Sequence, residues 1–423
     1  MKVNLQSLLL LLVVSLVSCQ SEVTQMVTYQ INEPIVMSKT EFRAAVKIKT
    51  TAEPISTPGK MSFYKDHIFI SEPEKGIHII NNSDPSNPVN VGYIQLIGNA
   101  DLAIRNDILY ADSYVDLVWF DISNPASPVE KGRLNDVFPE ALPVMDNFYG
   151  YDYEVVEQKK SDNVIIGWQV KEKTVEMTSY NSGWYKGGDL LEVYTSTGNS
   201  TGNTTGINGS MSRFAIYENK MYVVLNNYLT IVDVASAQPV KQSESIYVGR
   251  SVETIFSYKT SLFLGTPTGM MIYSVSDPNN PAFESMISHA YGCDPVVVDN
   301  DLAYVTVRSG NTCGQQNNEL FIVDVKDTKN PKHIVTFEMT NPKGLGIDAG
   351  KLFLCDDGLK VFSIQDKPTK LIDSQILHEK GMDGFDLIPY NNTLMMIANE
   401  GLYQYNYSDI NNIRFLSKIS FTK

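Results

Sequence analysis

The sequence predicts an all-β protein, most simply a β-propeller of seven four-stranded blades with one long insertion between blades two and three. Three observations lead to this fold. Strings of β-branched and aromatic residues recur about every 40 residues, turns of one chemical type follow them, and no long stretch shows helical periodicity. Such a repeat is typical of a propeller blade, which buries its apolar faces against its neighbours.

The recurring strings are clearest where two of them are nearly identical. "LTIVDV" occupies 229–234 and "LFIVDV" occupies 320–325. Five related strings begin at Ile77, Leu117, Met270, Leu359 and Leu402. Successive copies start 40, 112, 41, 50, 39 and 43 residues apart, which gives seven blades. Six or eight blades stay open, because the longest step contains further strand-like runs.

Each string has similar surroundings, which indicates that it is the third strand of its blade. Blade five, for example, has "PVVVD" at 295–299, "LAYVTV" at 302–307 and, after the string, "KHIVTFEM" at 332–339. The turn before the fourth strand is rich in Asn, Asp and Pro, as in "SDPSNP" at 83–88. We therefore expect the aspartates that end the strings to bind backbone donors of these turns, namely Asp121, Asp233 and Asp324.

These strings and spacings resemble the LVIVD-repeat family of bacterial surface proteins. The resemblance covers roughly residues 60–420 apart from the insertion, and it is strongest at 117–128, 229–234 and 292–331. It implies a propeller and brings no established chemistry with it. One further segment, "RAAVKIKT" at 43–50, is predicted to add a closing or edge strand.

The N-terminal segment predicts export. Residues 1–18 contain Lys2 and an apolar run from Leu8 to Val17, shorter than the about 20 residues of a transmembrane helix. The tetrapeptide that ends at Cys19 resembles the lipobox of bacterial lipoproteins, which implies cleavage before Cys19 and a lipid on its sulfur. A plain secretory signal with an accidental cysteine is the alternative.

The lipobox reading sets the expected organisation and location. Residues 19–45 would be the lipidated cysteine and a polar tether, and residues 46–423 the propeller. We expect a bacterial cell-envelope protein, on the outer membrane, that touches the membrane through its lipid anchor only. The chain has a net charge of −14, so nucleic acid is not an expected partner.

Two insertions are expected to share one face of the disc. In a four-stranded blade, the loop between strands two and three and the connection to the next blade open on the same side. The insertion 139–210 follows blade two, and 308–319 joins strands two and three of blade five. We call this side the elaborated face and predict that it carries the function.

The cysteines other than Cys19 are expected to be structural. Cys293 and Cys313 fall on the elaborated face of blade five, so a disulfide is predicted. A zinc site with His289 is the alternative. Cys355 ends a strand and is expected to be a buried free thiol.

The insertion is rich in aromatic residues. Trp168, Trp184, Tyr180 and Tyr185 could form a platform for a sugar ring or an apolar side chain, or a small core that seats the insertion on the propeller. The string 163–177 is read as a hairpin. The candidate face also includes the following charged residues: Arg308, Asp356, Asp357, Asp383 and Glu400.

The sequence lacks the common motifs of enzymatic chemistry. "GLGIDAGKL" at 344–352 lacks the spacing of a phosphate loop, and HExxH and haem-attachment motifs are missing. We therefore expect a binding or scaffolding module for an envelope protein or glycan, without a cofactor. A hydrolase acting on glycan or peptide through carboxylates at the channel mouth is the alternative, and those carboxylates could also bind calcium.

Overall fold

The computed structural model shows a ring of seven four-stranded antiparallel blades, which confirms the predicted fold and blade number. It describes residues 25–146, 148–177, 207–208, 210, 212–249, 252–288, 295–308, 317–365 and 367–422. Within each blade the strands run in chain order from the centre of the ring to its rim.

The first three blades follow the recurring strings. The strands of blade one are β3 (Met61–Tyr64), β4 (His67–Glu72), β5 (Gly76–Asn81) and β6 (Val89–Gln95). Those of blade two are β7 (Leu102–Arg105), β8 (Ile108–Ser113), β9 (Asp116–Asp121) and β10 (Val129–Leu134). Those of blade three are β13 (Phe214–Tyr217), β14 (Lys220–Leu225), β15 (Tyr228–Asp233) and β16 (Val240–Lys241), with β17 (Ile246–Tyr247) also paired to β15.

The other four blades have the same order. Blade four contains β18 (Thr254–Tyr258), β19 (Ser261–Thr266), β20 (Gly269–Ser274) and β21 (Ala282–Ser288). Blade five contains β22 (Val296–Asp299), β23 (Leu302–Val307), β24 (Glu319–Asp324) and β25 (Lys332–Glu338). Blade six contains β26 (Leu345–Asp348), β27 (Lys351–Cys355), β28 (Leu359–Ser363) and β29 (Gln375–Glu379). Blade seven contains β30 (Gly384–Tyr390), β31 (Thr393–Ala398), β32 (Gly401–Asn406) and β33 (Arg414–Ser420).

In most blades, the residue that ends the third strand closes the following turn. Asp121 accepts a hydrogen bond from the Ser123 amide at 2.9 Å, and Asp233 and Asp324 accept in the same way from residues two positions later. Asn81 and Asn406 take this role in blades one and seven. The predicted structural role of the repeated aspartates is therefore confirmed.

Neighbouring blades are fastened by apolar cores and by repeated polar contacts on the face opposite the elaborated one. The Tyr64 hydroxyl accepts from the Asp107 amide, and the Lys65 ammonium donates to the Asp107 carboxylate at 2.5 Å. Tyr258 and Lys259 contact Asp301 in the same arrangement between blades four and five. These hydrogen bonds raise the pKa of both lysines.

The ring closes through side-chain contacts between blade seven and blade one. The four main strands of each of these two blades come from one continuous part of the chain. The Asn82 and Gln404 side-chain amides are buried and exchange two hydrogen bonds, at 2.9 and 2.6 Å. The Ser417 hydroxyl donates to the Pro85 carbonyl. An apolar cluster that contains Ile388 packs the same seam.

Two extra strands extend blade one. β2 (Lys47–Lys49) pairs with the outer strand β6, which confirms the edge strand predicted in segment 43–50. β12 (Ile207–Asn208), from the end of the insertion, pairs with the inner strand β3. Blade one therefore has a strand added at each edge.

The remaining elements correct two predictions. Residues 25–44 are not a polar tether: β1 (Gln25–Ser38) pairs along its length with β11 (Asn163–Met177), and α1 (Lys39–Ala44) follows it. The string 163–177 is not a hairpin but this single strand β11. The register of the pair shifts once, beside Gly167. The second helix, α2 (Tyr153–Lys160), precedes β11.

Helix α1 seats this two-stranded ribbon on blade two. Phe42 stacks on Tyr114 with ring centroids 6.3 Å apart. Arg43 binds the fully buried Asp116 at 2.9 and 3.1 Å, and the hydrogen bond to this carboxylate raises the pKa of Arg43. The ribbon is therefore docked on the side of blade two from which the insertion leaves.

Candidate binding cleft

A cleft lies on the elaborated face between blades two and three. Its volume is about 40 Å³. The insertion forms one wall, and the start of blade three forms the other. Its apolar lining consists mainly of Tyr114, Phe138, Leu142, Val144, Phe214 and Leu225. Its charged lining consists of Glu74, Asp112 and Arg213.

A buried ion pair forms part of the lining. The Arg213 guanidinium approaches Asp112 at 3.4 Å, and both residues are less than a tenth exposed. Asp112 also accepts from the amides of Ala100 and Asp101 at 2.7 and 2.9 Å. Burial raises the pKa of Asp112, and the charge of Arg213 and these amides oppose that rise.

A second buried pair lies beside it. Lys60 contacts Asp101 at 3.3 Å, and these side chains are only 2% and 1% exposed. Asp101 also accepts from the Ser212 hydroxyl and the Arg213 amide, at 2.9 and 2.5 Å. Burial lowers the pKa of Lys60 to about 8, although the charge of Asp101 opposes the change.

The end of the insertion crosses the centre of the ring. We call its described residues, 207–208, 210 and 212–213, the strap. Beyond the β12 pairing with blade one, Ser210 donates through its amide to Asp386 of blade seven at 2.7 Å and accepts from the Leu345 amide of blade six. The Ser212 carbonyl accepts from the Ile255 amide of blade four. The strap therefore links the inner strands of several blades near the elaborated face.

The wall formed by the insertion is held from two sides. The Val144 amide donates to Glu74 at 3.0 Å. The Trp168 indole donates to the Pro143 carbonyl at 2.9 Å, and its ring lies 5.4 Å from that of Tyr151. Trp168 therefore supports the wall from outside the cleft. This agrees with the alternative in which the aromatic residues form a small core that seats the insertion on the propeller.

Tyr114 connects the cleft to the ribbon. Its hydroxyl contacts the Ile166 carbonyl at 3.5 Å. Burial raises its pKa, and the neighbouring Glu74 adds to this. Gly98 lies against its ring, and a β-carbon there would come within 2.4 Å of the ring atoms. A side chain at Gly98 would therefore displace Tyr114 from the cleft.

The other predicted face residues lie elsewhere on the ring. Arg308 is half-buried at the end of β23. The four predicted carboxylates belong to blades six and seven, whereas Trp168 belongs to the ribbon that is docked on blade two. The structure therefore does not bring these residues together into one site with Trp168.

These four carboxylates have intramolecular partners. Asp356 accepts from the Thr340 and Asn341 amides and pairs with Lys360. Asp357 pairs with Lys380, Asp383 with Lys343, and Glu400 accepts from the Tyr403 hydroxyl. Such contacts are those of structural ion pairs, and none of them specifically favours the hydrolase alternative.

Several predictions fall on residues outside the described ranges. They concern the lipidation of Cys19, the disulfide between Cys293 and Cys313 or its zinc alternative, and the aromatic residues Trp184, Tyr180 and Tyr185. Cys355 is described: it is a buried free cysteine, as predicted, and burial raises the pKa of its thiol.

Two features of the described part of the chain bear on metals and membranes. No three His, Cys, Asp or Glu side chains among these residues are grouped so that they could hold a metal ion, so no position for calcium emerges there. Neither described helix is long and apolar enough to cross a bilayer.

The sequence comparisons identify the repeat. A model of the LVIVD repeat matches residues 99–136 and 208–240, which correspond to blade two and the larger part of blade three. This confirms the resemblance that the strings suggested. A comparison with curated proteins gives no significant match.

Several solved structures align with most of the chain at low sequence identity. A protein from Lactobacillus plantarum aligns with a TM-score of 0.53 and 10% identity, over 86% of this chain and 97% of that one. Hsv2 of Kluyveromyces lactis gives 0.47 and 10%, over 87% and 99%. The computationally designed Ika8 protein gives 0.48 and 8%, over 88% and 90%. Likeness at this level of identity concerns the fold alone.

Proposed function

We propose that this LVIVD-repeat propeller is a binding and scaffolding module of the bacterial cell envelope, and that its elaborated face contacts a protein or glycan partner. The cleft carries the proposal. The insertion leaves blade two, forms a wall of the cleft through Leu142 and Val144, and returns through the strap. Insertions on one face of a repeat scaffold commonly build its binding surface.

Exposed apolar side chains of the insertion support the same face. Phe148 is 90% exposed, Tyr153 is 55% exposed and Val144 is 52% exposed, and all three belong to the insertion. Large apolar residues at a protein surface often serve as anchors in protein interfaces.

Replacing Phe148 by Glu tests the face. Phe148→Glu is expected to reduce the amount of partner retained from envelope extract after photo-crosslinking at least about tenfold, because a charge replaces an exposed apolar anchor. Phe415→Glu is the control, since Phe415 is also exposed but lies in the outer strand of blade seven. Equal retention by Phe148→Glu and the unmodified protein would count against this face.

The proposed membrane attachment relies on Cys19. β1 begins at Gln25, six residues after Cys19. Six residues span at most about 20 Å. A lipid on Cys19 would therefore hold this end of the ribbon close to the bilayer, and the ribbon is docked on blade two.

Replacing Cys19 by Ser tests the anchor. The unmodified protein is expected to enter the detergent phase when Triton X-114 separates, and Cys19→Ser is expected to stay in the aqueous phase, because two or more acyl chains give stable membrane binding. Recovery of the unmodified protein from the aqueous phase would refute the anchor. It would leave the proposal about the elaborated face unaffected.

A further inference from the structure

We propose that the cleft between blades two and three receives a small branched aliphatic side chain of a partner polypeptide, whose neutral main-chain carbonyl accepts a hydrogen bond from the Arg213 guanidinium. The inference rests on the proposed function and specifies the partner chemistry at its site.

The size and lining of the cleft indicate which kind of side chain it can hold. A cavity of about 40 Å³ is several times the space that one water needs, and well below the 300–1,000 Å³ of typical small-molecule sites. Its walls are largely apolar, with Leu142 and Val144 on one side and Leu225 on the other. A valine-sized or leucine-sized group suits this space better than a sugar or aromatic ring.

The Arg213 guanidinium supplies the polar contact. Arg213 is 6% exposed and lines the cleft. Its side chain contacts Asp112 at a long 3.4 Å, and its Nε has no hydrogen-bond partner among the described residues. A guanidinium has five N–H donors, so this group retains capacity for an acceptor brought by a ligand.

The charges of the lining favour a neutral acceptor over an anion. Asp112 and Glu74 carry two carboxylates against the single guanidinium of Arg213. A ligand carboxylate would be placed close to both acidic groups, and like charges in a partly buried site repel strongly. A peptide carbonyl can accept from Arg213 without this penalty.

The probe for the experiment is N-acetyl-valinamide, with N-acetyl-valine as its anionic analogue. In a sample with labelled Leu and Val methyl groups, N-acetyl-valinamide is expected to shift the methyl signals of Leu142 and Leu225 with a dissociation constant in the millimolar range. N-acetyl-valine is expected to bind at least about fivefold more weakly, because of Asp112 and Glu74.

Matched variants fill the cleft or leave it open. Ala141 lines the cleft, so Ala141→Leu is expected to weaken binding of N-acetyl-valinamide at least about tenfold. Ala282→Leu makes the same change at an exposed position of blade four and should leave binding unchanged. If Ala141→Leu does not fold, Val144→Asp at the exposed edge of the cleft is expected to weaken binding in its place.

The possible results of these experiments distinguish a failure of this inference from a failure of the proposed function. If N-acetyl-valinamide leaves the Leu142 and Leu225 methyl signals in place, or if Ala141→Leu binds it normally, the inference is wrong. If N-acetylglucosamine shifts these signals instead, the cleft is a glycan site and the inference is also wrong. Loss of partner retention in Phe148→Glu would still support the elaborated face in either case.

Discussion

Replacing Asp101 by alanine is expected to lower the free energy of unfolding by about 3–5 kcal/mol, because it leaves the charge of Lys60 buried without this counter-ion. The two side chains are 1% and 2% exposed. The Asp101 carboxylate is also the acceptor for the Ser212 hydroxyl and the Arg213 amide, so its removal takes this acceptor away from two further buried donors. The loss would therefore loosen the strap where it enters blade three.

Urea denaturation followed by tryptophan fluorescence measures this loss. Asp107→Ala is the control: it removes the ion pair with Lys65, in which both side chains are more than a third exposed, and should cost about 1 kcal/mol or less. Lys60→Met in the Asp101→Ala background is expected to restore part of the stability, because it removes the buried cation whose counter-ion Asp101 was lost. A cost for Asp101→Ala no greater than that for Asp107→Ala would show that the buried network contributes little.

The repeated part of the fold was predictable because its determinants are local. The seven strings alternate with turns whose chemistry depends on residues two positions apart, as the contact of Asp121 with the Ser123 amide shows. Antiparallel strands in chain order then place the loops on fixed faces. Strand order, blade number and the position of the insertions follow from these local rules.

The cleft was not predicted because its contacts are long-range. Arg213 meets Asp112 across 101 residues, and Val144 meets Glu74 across 70. No spacing in the sequence indicates these pairs, because the insertion brings them together. The only available signal was a charged residue directly before the first strand of blade three, at Arg213. Aromatic composition instead drew attention to Trp168, which supports the wall.

The N-terminal segment was misinterpreted for a related reason. Residues 25–38 were interpreted as part of a polar tether although half of them are apolar, and they form β1 because β11 lies beside them and completes their backbone hydrogen bonds. A strand whose main partner is more than a hundred residues away gives no local sign of where that partner lies.

The folded protein is expected to lose stability steeply above pH 10, because buried tyrosines resist ionisation. Burial raises the pKa of Tyr110 and Tyr304 to about 12. It also raises the pKa of other buried tyrosines, namely Tyr93, Tyr114, Tyr222, Tyr405 and Tyr407. A shift of two pKa units corresponds to about 2.7 kcal/mol, so Tyr110 and Tyr304 together account for at most about 5 kcal/mol.

The direction of this pH dependence of stability follows from proton linkage. In the unfolded chain a tyrosine ionises near pH 10, whereas in the folded protein it keeps its proton until the pH passes its raised pKa. The stabilisation is therefore complete below pH 10 and is lost as the pH rises towards about 12. Lys60 acts in the opposite direction: its pKa is lowered to about 8, so its unfavourable contribution fades between about pH 8 and pH 10.5.

Urea midpoints between about pH 9 and pH 11.5 measure the decline. The double variant Tyr110→Phe with Tyr304→Phe should show a shallower decline, because phenylalanine keeps the ring and removes the ionisable hydroxyl. Tyr153→Phe, at an exposed position, should leave the slope unchanged. An equal slope in the double variant and the unmodified protein would mean that these two hydroxyls do not control alkaline unfolding. Ionisation of the remaining buried tyrosines would then be the next cause to test, because Tyr114, Tyr222, Tyr405 and Tyr407 all lie in apolar clusters, where a phenolate would be poorly solvated.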